Sequence, residues 1–138
     1  DKLIQHSETD AHTKMPQYGF DQKQAGAIAA FLLQGKPVKT QKLPALKDEA
    51  LAIRQGEILF RSTGCLACHS LGEHGSQTAF SGGDLTRIGA KRSPEWLYTW
   101  LSEPEKLISD HRMPLFKLSA QQRAALAAYL SQQTDEAP

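Results

Sequence analysis

Cysteine is nearly absent: the 138-residue chain holds two, Cys65 and Cys68, separated only by Leu66 and Ala67. A pair so close cannot frame a fold through long-range disulfides, and a bridge between them would close too small a loop to constrain the unfolded chain. An excess of one charge is also missing. Lys and Arg number 16 against 15 acidic residues, a formal net charge of +1, which excludes the basic footprint of a general nucleic-acid binder. No apolar run approaches the roughly 20 residues that span a bilayer, so no transmembrane segment is expected, and the opening Asp1-Lys2-Leu3-Ile4-Gln5 lacks the basic-then-apolar pattern of a leader. Sustained period-two alternation, the mark of half-buried strands, does not occur either. These absences lead to the expectation of a soluble all-α chain, processed or excised from something longer, with one domain plus an extension.

What is present is a series of helical stretches punctuated by glycine and proline. The first runs from about Asp21 to Leu33, opened by an Asp21/Gln24 capping box and closed near Gly35. Residues 36–47 combine two prolines with four lysines and read as an exposed, extended linker. A second helix, from about Asp48 to Ser62, offers Leu51, Ile58, Leu59 and Phe60 for burial, and Gly56 for the close approach of another helix. It leads directly into the cysteine pair. Residues 70–92 contain Gly72, Gly75, Gly82, Gly83 and Gly89 and read as a loop held by something it wraps. Ser93 and Pro94 open a short helix carrying Trp96, Leu97, Trp100 and Leu101, which Pro104 ends. Met113-Pro114 lies in the next loop, and a Ser119/Gln122 capping box starts a last helix with Leu126, Tyr129 and Leu130.

The chain also repeats part of itself. Its only two methionines, Met15 and Met113, are each followed by proline, and at that offset Tyr18 matches Phe116, Asp21 matches Ser119 and Gln24 matches Gln122. The run Ile28-Ala29-Ala30-Phe31-Leu32 likewise matches Leu126-Ala127-Ala128-Tyr129-Leu130. A match this long points to a duplicated unit. The first copy has no cysteine pair before it, so Met15 is read as an ordinary methionine.

The chemistry is concentrated in Cys65-Leu66-Ala67-Cys68-His69. Two thiols at this spacing can each add to a vinyl group of one haem, and the adjacent histidine then lies under the porphyrin within reach of iron. Three other readings compete. A thioredoxin-like dithiol wants a strand before the motif, whereas the preceding stretch is helical. A zinc site could recruit His69 and His74, but a zinc finger needs about a dozen residues between its second cysteine and first histidine. A local disulfide would stabilise almost nothing.

The ordered segments Gly56-Glu57-Ile58-Leu59-Phe60, Gly64 through His69, Gly83-Asp84-Leu85-Thr86-Arg87-Ile88-Gly89, Ser93-Pro94-Glu95-Trp96-Leu97 and Arg112-Met113-Pro114 together resemble a bacterial class I cytochrome c domain over about residues 48–134. The resemblance implies a small helical fold around one covalently bound haem c, with its first and last helices crossing near Gly56, Phe60 and Tyr129. It also implies Met113 as the second iron ligand, opposite His69. Many relatives have proline near position 83, where a backbone carbonyl holds the iron-bound histidine; Gly82-Gly83 stands here, which leaves open which carbonyl orients His69. Residues 1–35 resemble the closing third of a preceding domain of the same kind.

Elementary chemistry agrees with the methionine. Pro114 biases Met113 into an extended conformation, keeping the segment a loop, and histidine with methionine raises a haem's reduction potential. The competing view is that Met113 fills a gap in the core. His111 is a rival ligand and His74 a weaker one, while His6 and His12 are read as exposed histidines without a role. Trp96, Trp100, Phe80 and Tyr98 are expected in the core, some against the haem. Arg87, Lys91 and Arg92 form a basic cluster, from which Arg87 is the candidate for a haem propionate; a solvated face is the alternative.

The resulting expectation is electron transfer in the periplasm or another extracytoplasmic compartment, between a redox donor and acceptor, by a carrier or by a domain of a larger oxidoreductase or multi-haem protein. No catalytic set is evident. The rival is a haem enzyme or a gas or peroxide sensor with an exchangeable sixth ligand.

Overall fold

The computed structural model describes residues 18–34, 38–76, 78 and 81–134. Met15, His6, His12, Gly35 and Phe80 lie outside the described residues. The chain divides into two compact units, Asp1–Val38 and Lys39–Pro138.

The first unit holds α1, Gln22–Leu32. Its start follows from the capping box read in the sequence: the Asp21 carboxylate accepts from Gln24 N at 2.8 Å, and the Gln24 side chain accepts from Asp21 N at 3.1 Å. Along α1 only Ala25 is buried, while Phe31 and Leu32, and Leu33 at the C-cap, are exposed.

The second unit is built on three helices. α2 (Glu49–Ser62) begins where the Asp48 carboxylate accepts from Leu51 N at 2.9 Å. Its buried residues are Ala52, Gly56 and Phe60, one per turn. Of the apolar residues expected inside, Phe60 is buried and Leu59 half-buried, but Leu51 and Ile58 are exposed. The reason is the choice of face: the stripe containing Gly56 admits a neighbouring backbone, which no leucine or isoleucine stripe would allow. That neighbour is α5 (Ala120–Ser131), whose Ser119/Gln122 capping box is complete. A Cβ built on Gly56 would stand 2.1 Å from the Ala125 carbonyl oxygen, so glycine is required at the crossing. Phe60 and Tyr129 meet beside it with ring centroids 5.7 Å apart.

On α5, residues 124–130 are all buried, because α2, α4 and a cavity each take part of its circumference. α4 (Pro94–Ser102), capped by Ser93, packs against α5 and contributes Leu97, Tyr98 and Thr99 to the interior. Thr99 also anchors the segment expected to be an exposed linker: its Oγ1 accepts from Gln41 N at 2.7 Å, and Leu43 and Leu46 pack on the core. Residues 39–47 therefore belong to the second unit. They are extended as expected, but Gln41, Leu43, Pro44 and Leu46 are half-buried, the last three because they are too apolar to leave in water.

Residues 70–92 carry more order than a loop. β1 (His69–Leu71) pairs antiparallel with β2 (His74–Gly75) and parallel with β3 (Gly83–Asp84), and α3 (Ile88–Lys91) makes a single turn afterwards. Strands of two or three residues are too short to show alternation, which is why no period-two signal marks them. Gly72, at φ 57°, makes the tight turn between β1 and β2. The Asp84 carboxylate then binds the ribbon, accepting from Thr86 Oγ1 at 2.6 Å, Thr86 N at 3.1 Å and Ser70 Oγ at 3.3 Å. Burial pulls this carboxyl up, yet these hydrogen bonds and the charge of Lys91 outweigh it and hold Asp84 below the usual carboxylate range.

Candidate functional site

α2 ends at Ser62, and Gly64, at φ 93°, reverses the chain into a short 3₁₀ turn over Cys65–Ala67. This turn presents the two thiols and delivers His69 to β1. Cys65 is half-buried, Cys68 is exposed, and both are free thiols. Burial pushes the Cys65 thiol above its ordinary value, an effect larger than the opposing hydrogen bond to its backbone.

The ring of His69 is fixed by the two glycines whose role the sequence left open. Its Nδ1 lies 3.0 Å from the Gly83 carbonyl oxygen, which can only accept. Nδ1 therefore carries the proton and Nε2 keeps a free lone pair, the arrangement found when a histidine is prepared for a metal. Gly83 sits at φ 92°, closed to proline, whose φ is locked near −65°. Gly82 lies against the imidazole itself: a Cβ there would be 2.5 Å from His69 Cε1 and 2.7 Å from Nε2. The glycine pair thus offers a carbonyl to the histidine from a backbone conformation that proline could not adopt.

Cys65, Cys68, His69 and Met113 all line one cavity of about 580 Å³, within the roughly 300–1,000 Å³ typical of cofactor pockets. Phe60, Leu97, Leu126 and Leu130 supply apolar walls, and Trp96 and Trp100 contribute aromatic faces. Met113, in the loop between α4 and α5, is half-buried and accepts a hydrogen bond from Trp100 Nε1 at 2.9 Å. His111 shares the cavity, and its Nδ1 is buried without a hydrogen-bond partner.

Two thiols, an imidazole with a free Nε2 and a soft thioether around a large apolar cavity form a donor set that fits a haem. Other expectations are redistributed. Arg87 is exposed at the N-cap of α3 and is not among the lining residues, whereas Arg92 and Arg112 are. His74 is exposed in β2, outside the cavity. Arg112 was missed as a lining cation because the clustering of Arg87, Lys91 and Arg92 drew the reading to the glycine-rich segment; its place next to Met113 was the available signal.

The structure also weighs against the competing readings of the motif. A helix, not a strand, precedes the cysteines, as the sequence indicated. Among the described residues no three His, Cys, Asp or Glu side chains gather as a metal site. No helix among the described residues is long and apolar enough to cross a membrane. No curated protein and no solved structure matches the chain. Residues 53–134, however, match the family model for cytochrome c; the chain belongs to the cytochrome c family, with Cys65, Cys68 and His69 fitting its Cys-x-x-Cys-His motif and haem-based electron transfer as its chemistry.

Proposed function

We infer that the protein transfers single electrons through one haem c held by thioether bonds to Cys65 and Cys68, with His69 and Met113 as axial ligands. The observation that carries this reading is that all four side chains line the same cavity. When bound, the haem supplies an iron that exchanges one electron between its ferric and ferrous forms. The chain's own contribution is to hold its ligands still. The Gly83 carbonyl orients His69, and Pro114 keeps Met113 out of helix. With a side chain assigned to each axial position no coordination site remains for a substrate, which favours a carrier over an enzyme or gas sensor. Arg92 and Arg112, rather than Arg87, are the cations we assign to the propionates, because they line the cavity.

The test is the visible spectrum before and after Met113→Ala. We expect a low-spin ferric spectrum with a far-red methionine–iron band that the substitution abolishes. If the wild type lacks the band, or it survives the substitution, Met113 is not the ligand. His111, which lines the same cavity, supplies the second reading; bis-histidine ligation would give a low-spin spectrum without that band.

The wider context we propose is a domain of a multi-haem protein, located in the periplasm or another extracytoplasmic compartment, where bacteria attach haem to cysteine. α1 supports this context. It carries the same reciprocal capping box as α5, and its residues Phe31 and Leu32 match Tyr129 and Leu130, which are buried on α5. On α1 these two positions are 72 % and 67 % exposed, as expected of a closing helix made for another haem domain. Intact mass and haem content of the native protein decide it: a product near 15.2 kDa plus one haem overturns the multi-haem context.

A further inference from the structure

The two helices that share a reciprocal capping box share their faces as well. Asp21 and Gln24 open α1 as Ser119 and Gln122 open α5, so at the offset of the repeat Ala27 stands where Ala125 does and Phe31 where Tyr129 does. On α5 these two positions receive α2: a Cβ on Gly56 would run into the Ala125 carbonyl, and the Tyr129 ring meets Phe60. The positions after them, Leu126 and Leu130, line the haem cavity together with Phe116, and their counterparts are Ile28, Leu32 and Tyr18. On α1 neither face is covered in that way. Ala27, Phe31, Leu32 and Tyr18 are exposed, and Ile28 is half-buried.

A contiguous apolar face left in water marks a place where something binds, and the shape of this one says what fits it. A helix that crosses α1 at Ala27 as α2 crosses α5 at Ala125 needs a glycine at the contact and an aromatic residue one turn later to meet Phe31. The sequence holds a single glycine with an aromatic residue four positions on, Gly56 with Phe60, and α5 already covers that face of α2. A second copy of the sequence offers only the same engaged helix. We propose that α1 is the docking surface for a helix outside residues 1–138, one that carries such a glycine and aromatic pair in a segment that also binds a haem. This rests on the multi-haem context above and identifies the partner within it: Ala27 and Phe31 take the helix, while Ile28, Leu32 and Tyr18 wall the haem. The two faces adjoin on α1 as they do on α5, so one segment engages both.

The experiment uses the native holoprotein with Ala27→Leu, which puts a bulky side chain at the crossing, and with Gln22→Leu as control, an exposed position on the other side of α1. Intact mass, haem content and urea unfolding at the haem absorption band are measured for each. In a further sample a photoreactive phenylalanine analogue replaces Phe31 and its cross-linked peptide is sequenced. The expected result is more than one haem per chain, a lower urea midpoint for Ala27→Leu than for the wild type or Gln22→Leu, and a cross-link to a helix with a Gly-x-x-x-aromatic run beside a Cys-x-x-Cys-His motif. A native product near 15.2 kDa plus one haem overturns the multi-haem context and the proposal with it. A multi-haem product in which Ala27→Leu unfolds as Gln22→Leu does, or in which position 31 cross-links to another segment, to a second copy or to nothing, overturns the docking and leaves the context standing. Should Ala27→Leu fail to fold, the cross-link alone decides.

Discussion

At the scale of single residues, the site depends as much on what is missing as on what is present. Gly82 gives His69 its room, and any side chain there must displace either the imidazole or the backbone that carries Gly83. Gly82→Ala is expected to destabilise the holoprotein by about 1–3 kcal/mol, the usual cost of overpacking, and to perturb the histidine–iron bond; chemical denaturation monitored at the haem absorption band checks this, and an unchanged midpoint with an unchanged spectrum refutes the close contact. Asp84 makes a different prediction, because the size of its effect depends on pH. Its carboxyl is held below its ordinary value of 3.8 in the folded chain. A depressed folded value means that the stabilisation is fully present above the unfolded value and disappears as pH falls through the folded one. The stability advantage of the wild type over Asp84→Asn is therefore expected near pH 7 and should shrink steadily below about pH 4. Paired urea titrations across that range measure it. An advantage that is constant with pH would mean that the carboxylate's charge contributes nothing to the ribbon.

Among the elements, the α2/α5 crossing has the least tolerance. The Gly56 position faces the Ala125 carbonyl oxygen and the Tyr129 Cβ, both far inside the contact distance for an added carbon. Neither neighbour is a flexible side-chain tip that could swing away. Gly56→Ala is therefore expected to cost about 1–3 kcal/mol despite its better helix propensity, seen as a lower urea midpoint for the holoprotein; a rise in the midpoint would mean that the helices separate without loss. Helices and their caps were legible in the sequence because capping is local: Asp21 with Gln24, Asp48, Ser93 with Pro94, and Ser119 with Gln122 each open a helix where expected. The crossing at Gly56 was legible through the family pattern. The ribbon was not, since β1 and β2 are only a few residues long on either side of a tight turn, β3 joins β1 from further along the chain, and nothing periodic marks them. Nor was the inward turn of Leu43 and Leu46, where the prolines and lysines of the linker obscured its apolar residues. The cysteines and histidine could be read directly because covalent attachment imposes a fixed spacing. The carbonyl that orients His69 depends on backbone geometry, which the sequence does not display.

For the whole molecule, the decisive quantity is the size of the cavity relative to the core around it. The second unit, Lys39–Pro138, lies at the lower end of the commonest domain sizes, and its buried hydrophobic set is short, with alanine at Ala52, Ala124, Ala125, Ala127 and Ala128. Small residues bring helices together but bury little area each. Into this modest core opens a cavity of about 580 Å³, lined by Phe60, Leu97, Leu126 and Leu130, which are also members of the core cluster. The same side chains therefore pack the helices and line the cavity proposed for the haem. Without haem those walls face water or collapse inward, and the α2/α5 and α4/α5 contacts lose a shared support. Replacing both cysteines, as in Cys65→Ala with Cys68→Ala, is expected to give a protein that keeps far-ultraviolet helical signal but loses near-ultraviolet dichroism and a cooperative thermal transition when no haem is retained. Adding haem to that variant separates the two contributions. If the cavity and axial residues suffice, non-covalent haem restores the cooperative transition at a lower midpoint; if the thioether links are essential for order, the transition stays absent. A haem-free variant that melts as sharply as the wild type would show that α2, α4 and α5 need no cofactor to pack, and that the cavity is a stable hollow in a protein that is already folded.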